Sequence, residues 1–317
     1  MKILVTGAAG FIGSHVAEAL LQRGDFVVGV DDVNDYYNVK FKEDNLAILK
    51  KSKDFKFYRQ DIRDYSGLRK IFEKEKPDKV IHLAARAGVR ASIQDPLLYE
   101  AVNIKGTMNL LDLAKDYSVK SFVFASSSSV YGNQKKTPFS ETDDVDSPIS
   151  PYAATKKAGE LICYTYHHLY AMKITCLRFF TVYGPRGRPD MAPYKFIELV
   201  IQGKPLSKYG DGKTKRDYTF VDDIVKGIIA ASDKELDFEI INLGNKKPVS
   251  LNDFISIVEK LTGKKALIDQ QPMQPGDVDI TYADIRKAQK LLGYKPETSF
   301  EAGMKKLYDW YKANRAR

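Results

Sequence analysis

The sequence predicts an α/β protein built on a doubly wound parallel sheet, with a smaller C-terminal α/β lobe. Three observations carry that reading. Short apolar runs alternate with amphipathic stretches through the first half of the chain, and a glycine-spaced turn joins the first run to the first such stretch. Beyond about residue 185 the chain becomes punctuated by Pro and Gly.

The elements follow in order. KILVT at residues 2–6 is a β-branched run turning into Gly7, and so reads as a buried strand. Helical periodicity runs from Phe11 through Val16 to Leu20 and Leu21, and Gly24 supplies the stop. Residues 26–30 form a second apolar strand ending at Asp31 and Asp32. Residues 55–58, 79–83 and 121–126 are further strands, with a helix over 66–76 and an amphipathic segment over 97–115 between them. Residues 1–184 are expected to form the main sheet domain and 185–317 mainly the smaller lobe. Within the latter, 217–231 and 240–243 are able to return to the sheet. Helices are expected at 251–261 and 300–312, with an irregular loop at 209–215.

Of the 317 residues, 44% are hydrophobic and 29% charged, a globular balance that argues against wholesale disorder. No apolar run reaches the roughly 18 residues of a membrane span, so no membrane association is expected. The chain enters a strand pattern at once without a leader-like segment, which makes the cytoplasm the expected location. The net charge of +9 is spread over lysine pairs separated by acidic residues, which reads as a solvated surface and not a nucleic-acid stripe. The two cysteines, Cys163 and Cys176, lack metal-ligand spacing and read as buried thiols; no metal is expected.

Gly7, Gly10 and Gly13 stand between strand and helix at the spacing that lets backbone N–H groups approach a pyrophosphate. A strand, a helix and a second strand ending in Asp31 complete the Rossmann-type dinucleotide pattern. Asp31 can accept hydrogen bonds from ribose hydroxyls and would repel a 2′-phosphate, so NAD is expected over NADP. Further on, SPYAATK opens a helix with Ser150 as N-cap and Pro151 at the first position, placing Tyr152 and Lys156 on one face. Taken alone the pair is ordinary. Four serines at 126–129, closing a strand just upstream, make a poor core and a good polar site. Lys156, the helix N-terminus and a cationic nicotinamide ring would together favour a Tyr152 phenolate.

With TGAAGFIG, HLAA, SSSSVYG, the YxxxK pair, RFFTVYGP and RDYTFVDD in place, the chain resembles the extended short-chain dehydrogenase/reductase family, and within it the sugar-nucleotide epimerases and dehydratases. The resemblance covers essentially the whole chain. It implies Ser127, Tyr152 and Lys156 as the catalytic set. It implies a cofactor site of Gly7, Gly10, Phe11, Ile12, Gly13, Asp31, Asp61, Ile62, Leu83, Ala84, Ala85, Asn103, Phe179 and Val182, together with Tyr152 and Lys156. The implied chemistry is proton removal from the sugar C4 hydroxyl by Tyr152 with hydride transfer from C4 to NAD. The ketosugar then rotates, and hydride returns to the other face. It also implies a homodimer through 97–115 and 151–170, with Leu161, Tyr164 and Leu169 as apolar contacts.

Dehydratases of this family carry an Asp-Glu pair after the catalytic hydroxyl, where this chain has Ser128 and Ser129, and related decarboxylases also carry a glutamate in this stretch. Residues 85–96, 181–193 and 271–278 are similar to UDP-glucuronate 4-epimerases more than to UDP-glucose 4-epimerases. A uronate oxidised at C4 is a β-keto acid, so its carboxylate must be held, and Ser128, Ser129, Thr181 and Arg188 supply hydroxyls and a guanidinium. A surface-loop arginine is the alternative for Arg188. The resemblance further implies Arg216 and Asp277 at the diphosphate and ribose. Gln274 stands where glucose-type epimerases often carry an arginine, which leaves Arg90 or Lys195 for the diphosphate, and Tyr209 lies toward the uracil. A UDP-glucose or UDP-N-acetylglucosamine 4-epimerase, and a non-catalytic nucleotide-sugar binder, stay open at this stage.

Overall fold

The computed structural model describes residues 1–272 and 279–315. Its strands run β1 (Lys2–Thr6), β2 (Phe26–Asp31), β3 (Phe55–Arg59), β4 (Lys79–His82), β5 (Ser121–Ser127), β6 (Ile174–Phe179), β7 (Thr181–Tyr183), β8 (Pro205–Tyr209), β9 (Lys215–Phe220), β10 (Phe238–Leu243), β11 (Pro248–Ser250), β12 (Leu267–Gln271) and β13 (Ile280–Thr281). Seven of them form one parallel sheet in the order β10-β6-β5-β4-β1-β2-β3, the α/β architecture expected from the alternation of apolar and amphipathic segments.

Register decides what this sheet presents. Thr6 pairs with Val30 and His82, and Ser127 pairs with Phe179, itself opposite Leu243. The carboxyl ends of the strands therefore share one edge. Strand order reverses between β1 and β4, and the crevice beyond that point is where an open α/β sheet takes its ligand.

The first helix, Phe11–Gln22, packs beside Val221–Lys234 on one sheet face, burying Val16, Ala17 and Leu20 against Ile224 and Ile228. The long helix Pro151–Tyr170 covers the opposite face with Gly106–Asp116. Its start is as the sequence predicts: Ser150 Oγ accepts from Ala153 N at 3.1 Å and Pro151 occupies the first turn. One expectation is revised. The amphipathic segment 97–115 is not one regular helix but Pro96–Glu100, a π-helical turn Ala101–Lys105, and Gly106–Asp116. Such a turn is a one-residue insertion inside an otherwise α-helical segment, too short to stand out against its amphipathic pattern.

Beyond residue 180, β7 and β13 pair parallel to β9, and β11 pairs antiparallel to it. β8 and β12 form a separate parallel pair. Of the two segments able to return to the main sheet, 240–243 does so within β10, whereas 217–220 lies in β9 of the small sheet. Helices Ala192–Gln202, Leu251–Thr262 and Phe300–Asn314 pack around a Tyr218, Phe254 and Phe300 ring cluster. Among the described residues no helix is long and apolar enough to cross a membrane.

Candidate active site

The crevice at the sheet edge is an open cleft of about 1140 Å³. Gly7 and Gly13 shape its floor. Gly7 has φ +70°, and a Cβ there would lie 2.9 Å from Ala84 N; a Cβ on Gly13 would lie 2.0 Å from Gly7 O. No larger side chain fits either position, so the turn hugs β4 and the helix N-terminus points into the cleft. Gly10, Phe11 and Ile12 line the same wall.

Asp31, at the tip of β2, lines the cleft and is buried; its carboxylate accepts from Ala9 N at 3.1 Å and Val33 N at 2.8 Å. Burial raises its pKa, and those two N–H groups and Lys42 pull against that rise. Opposite it run Asp61, Ile62, Leu83, Ala84 and Ala85.

The loop after β4 is held by a relay. Thr6 Oγ1 accepts from Leu83 N and Ala84 N, both at 3.1 Å, and lies 2.8 Å from His82 Nδ1. Thr107 Oγ1 donates to Asn103 O at 2.6 Å and so accepts from His82 Nε2 at 2.9 Å. Burial pushes His82 down to about 3, so the ring stays neutral and bridges the two threonines.

Tyr152 and Lys156 come from the helix Pro151–Tyr170 and line the far end of the cleft beside Phe179. Ser127 closes β5 near Tyr152, and its Oγ accepts from Ser129 N at 3.1 Å. Lys156 Nζ donates to Ala125 O at 2.8 Å, and burial pushes its pKa down to about 8. Burial raises Tyr152 above its ordinary value, opposed by Ser127 and then by the Arg188 charge. Without a bound cation the tyrosine is thus held protonated, in keeping with an expected phenolate that needs a cationic nicotinamide ring beside Lys156 and the helix N-terminus.

The cleft wall gathers the expected cofactor residues other than Asn103 and Val182, together with Arg188, whereas Ser127, Ser128, Ser129, Thr181, Arg90, Lys195, Tyr209 and Arg216 do not line it. Asn103 is not at the cleft wall: its side chain accepts from Arg86 N at 2.8 Å and donates to Arg86 O and Thr155 Oγ1, both at 3.0 Å, tying the 83–87 loop to the Tyr152 helix. Val182 is buried in β7, below the cleft surface. Arg188 lines the cleft beside Tyr152, with its side chain 17% exposed and its guanidinium 5.1 Å over the Tyr36 ring, so it is not a surface-loop arginine. Asp277, with the neighbouring Gln274, lies outside the described residues.

Ser128 and Ser129 form the half-buried turn after β5, and Thr181 opens β7, also half-buried. Arg90 reaches across to β8, its guanidinium 5.8 Å over the Tyr209 ring. Lys195 is exposed on Ala192–Gln202, and Arg216 lies on β9.

Sequence reasoning missed Tyr36, Tyr37, Lys42 and Arg86, which all line the cleft. Tyr36 OH donates to Ala87 O at 2.7 Å, and Lys42 Nζ donates to Asn34 O at 2.8 Å. The only signal was an aromatic pair and a lysine following Asp31 and Asp32.

A glycine-cradled crevice joined to a Ser, Tyr and Lys set defines a dinucleotide-dependent enzyme that oxidises or reduces a hydroxyl carbon. The chain belongs to the GDP-mannose 4,6 dehydratase family, whose profile matches residues 4–307. It is 53% identical over 312 residues to a UDP-glucuronate 4-epimerase of Thermodesulfobacterium geofontis, covering 98% of this chain and 96% of that one. It superposes with a TM-score of 0.93, at 42% identity and 99% coverage of both chains, on a crystal structure of UDP-glucuronic acid 4-epimerase from Bacillus cereus in complex with UDP-glucuronic acid and NAD. A UDP-glucose 4-epimerase from Thermotoga maritima, solved with UDP-glucose, gives a TM-score of 0.91 at 34% identity, again over 99% of both chains.

Proposed function

We propose that this chain is an NAD-dependent UDP-sugar 4-epimerase that interconverts UDP-glucuronate and UDP-galacturonate through a transient 4-keto sugar. The observation that carries the uronate reading is Arg188, a guanidinium on the wall of the cleft that also holds Tyr152 and Lys156. A neutral hexose offers that cation only uncharged hydroxyls, whereas a carboxylate matches its fork and its charge.

The glycine cradle and the buried Asp31 fit NAD, with Asp61, Ile62, Leu83, Ala84 and Ala85 along it and Phe179 at the nicotinamide end. Bound NAD supplies the hydride acceptor for C4 and returns the hydride to the opposite face. Tyr152 takes the C4 hydroxyl proton, and the Ser127 hydroxyl nearby is placed to share it once substrate is bound. Lys156 is held at Ala125 O and contributes positive charge below the tyrosine. Ser128, Ser129, Thr181 and Arg188 restrain the carboxylate of the ketouronate, and Arg90, Lys195, Tyr209, Arg216 and Asp277 serve the UDP. In this scheme 1–184 with β10 is the cofactor domain, and the rest is mainly the UDP-sugar lobe.

The protein works as a cytoplasmic homodimer. Leu97, Leu161, Tyr164 and Leu169 are exposed at 78%, 55%, 51% and 65% on two neighbouring helical segments, an apolar face that a second copy would cover. Light scattering at micromolar concentration checks the dimer, and a monomer would refute it. The substrate is checked by incubating the NAD-loaded protein with a panel of UDP-sugars and reading products by proton NMR. UDP-galacturonate should form from UDP-glucuronate faster than UDP-galactose forms from UDP-glucose, and the reverse order would transfer the activity to neutral sugars.

A further inference from the structure

Arg188 is already engaged. Its Nε donates to Asp190 Oδ1 at 3.0 Å and its Nη2 to Asp190 Oδ2 at 2.5 Å, a two-point fork on a carboxylate. Tyr36 backs the guanidinium, its ring 5.1 Å away and its OH 3.5 Å from Nη2. The two partners differ in exposure: the Arg188 side chain is 17% exposed and that of Asp190 46%. Asp190 can therefore swing into water at little loss, while Arg188 stays on the cleft wall.

We propose that Asp190 is an internal counter-ion that occupies the Arg188 fork until a substrate carboxylate displaces it, which makes Asp190 a specificity-determining residue of the sugar site. This rests on the uronate reading above. A uronate carboxylate that docks on the Nε and Nη2 edge must displace Asp190, because two carboxylates cannot share that edge. With an empty cleft, or with a neutral sugar in it, the pair stays closed and the cation remains balanced. A uronate must open it, so its apparent affinity falls by the fraction of molecules in which the fork is occupied. Asp190 thus lowers the grip on uronates without helping neutral sugars.

The test compares NAD-loaded wild type, Asp190→Asn, Asp190→Ala and Arg188→Ala by KM and kcat on UDP-glucuronate and by competition with UDP-glucose. Removing Asp190 should lower the UDP-glucuronate KM about five-fold, what a half-exposed ion pair is worth as a competitor. UDP-glucose binding should change by less than about two-fold. That control separates release of the fork from simple loss of a negative charge near two phosphates. In an Arg188→Ala background, Asp190→Asn should change neither sugar. Unchanged or raised KM in both Asp190 variants overturns the inference, while a loss confined to UDP-glucuronate in Arg188→Ala keeps the uronate reading standing. Equal losses for both sugars in Arg188→Ala, or none, overturn that reading and the inference with it.

Discussion

Glu160→Gln tests how the floor of the site is held. Glu160 sits one helical turn after Lys156, and its carboxylate accepts from Arg178 Nε and Nη2, each at 2.8 Å, and from Ser126 Oγ at 2.6 Å. Both charged side chains are 1% exposed, and Arg178 stacks 4.8 Å over the Tyr131 ring. Glutamine keeps the shape but turns an NH₂ toward the guanidinium, leaving a buried cation without its counter-charge. Breaking a buried pair in this way costs about 3–5 kcal/mol. For a chain of this size that corresponds to a fall of roughly 5–8 °C in Tm. Thermal unfolding of the NAD-free protein, followed by circular dichroism, reads it directly. Because Ser126 lines the cleft and Lys156 shares the helix, epimerase activity should fall alongside stability. The double variant Glu160→Leu with Arg178→Met removes both charges together and should recover much of the loss. A Tm within about 1 °C of wild type for Glu160→Gln would refute the argument, since less than about 1 kcal/mol would then be at stake.

Other predictions concern the reacting groups. Tyr152→Phe should retain bound NAD and lose roughly 10²–10⁴-fold in turnover, the usual range for removing a positioned acid–base group; near-wild-type turnover would take Tyr152 out of the mechanism. Lys156 gives a pH test. Burial pushes its pKa from 10.5 to about 8, so at pH 7 the folded protein holds a disfavoured cation, and that penalty fades as pH rises from 8 to 10.5. Lys156→Met should therefore gain about 2–3 kcal/mol of relative stability at pH 7 compared with pH 10, read by urea unfolding of the NAD-free protein; equal effects at both pH values would show that Lys156 is not strained by burial. Protein stripped of cofactor should be reactivated by NAD and not by NADP, because a 2′-phosphate would meet the buried Asp31 carboxylate; better recovery with NADP would overturn that role for Asp31.

What was legible in the sequence was what local patterning encodes. The glycine turn, Asp31 at a strand end, the Ser150 cap and the Tyr152 to Lys156 face each depend on neighbours within a few residues, and the structure places each at the cleft or beside it. What was not legible depends on convergence. Tyr36, Lys42 and Arg86 have no shared spacing, yet they meet at the cleft because the segments after β2, a loop and the helix Lys40–Leu49, and the loop after β4 leave the same sheet edge. Asn103 reads as a cofactor contact from its motif, but a π turn and the Thr155 hydroxyl turn it to support the loop from behind. Arg188 was legible by charge type as a candidate for holding a carboxylate, and the structure places it on the cleft wall. Its Asp190 partner, two residues on, was visible in the sequence, but the fork between them belongs to the fold.

The central claim is that C4 is oxidised and then reduced within one bound complex. UDP-glucuronate carrying deuterium at C4, turned over in ordinary water, tests it most directly. The account predicts UDP-galacturonate that keeps its deuterium at C4, because the hydride taken from that carbon is the one returned. Protium from solvent at C4 of the product would mean that the inversion proceeds by deprotonation at carbon, and would contradict it.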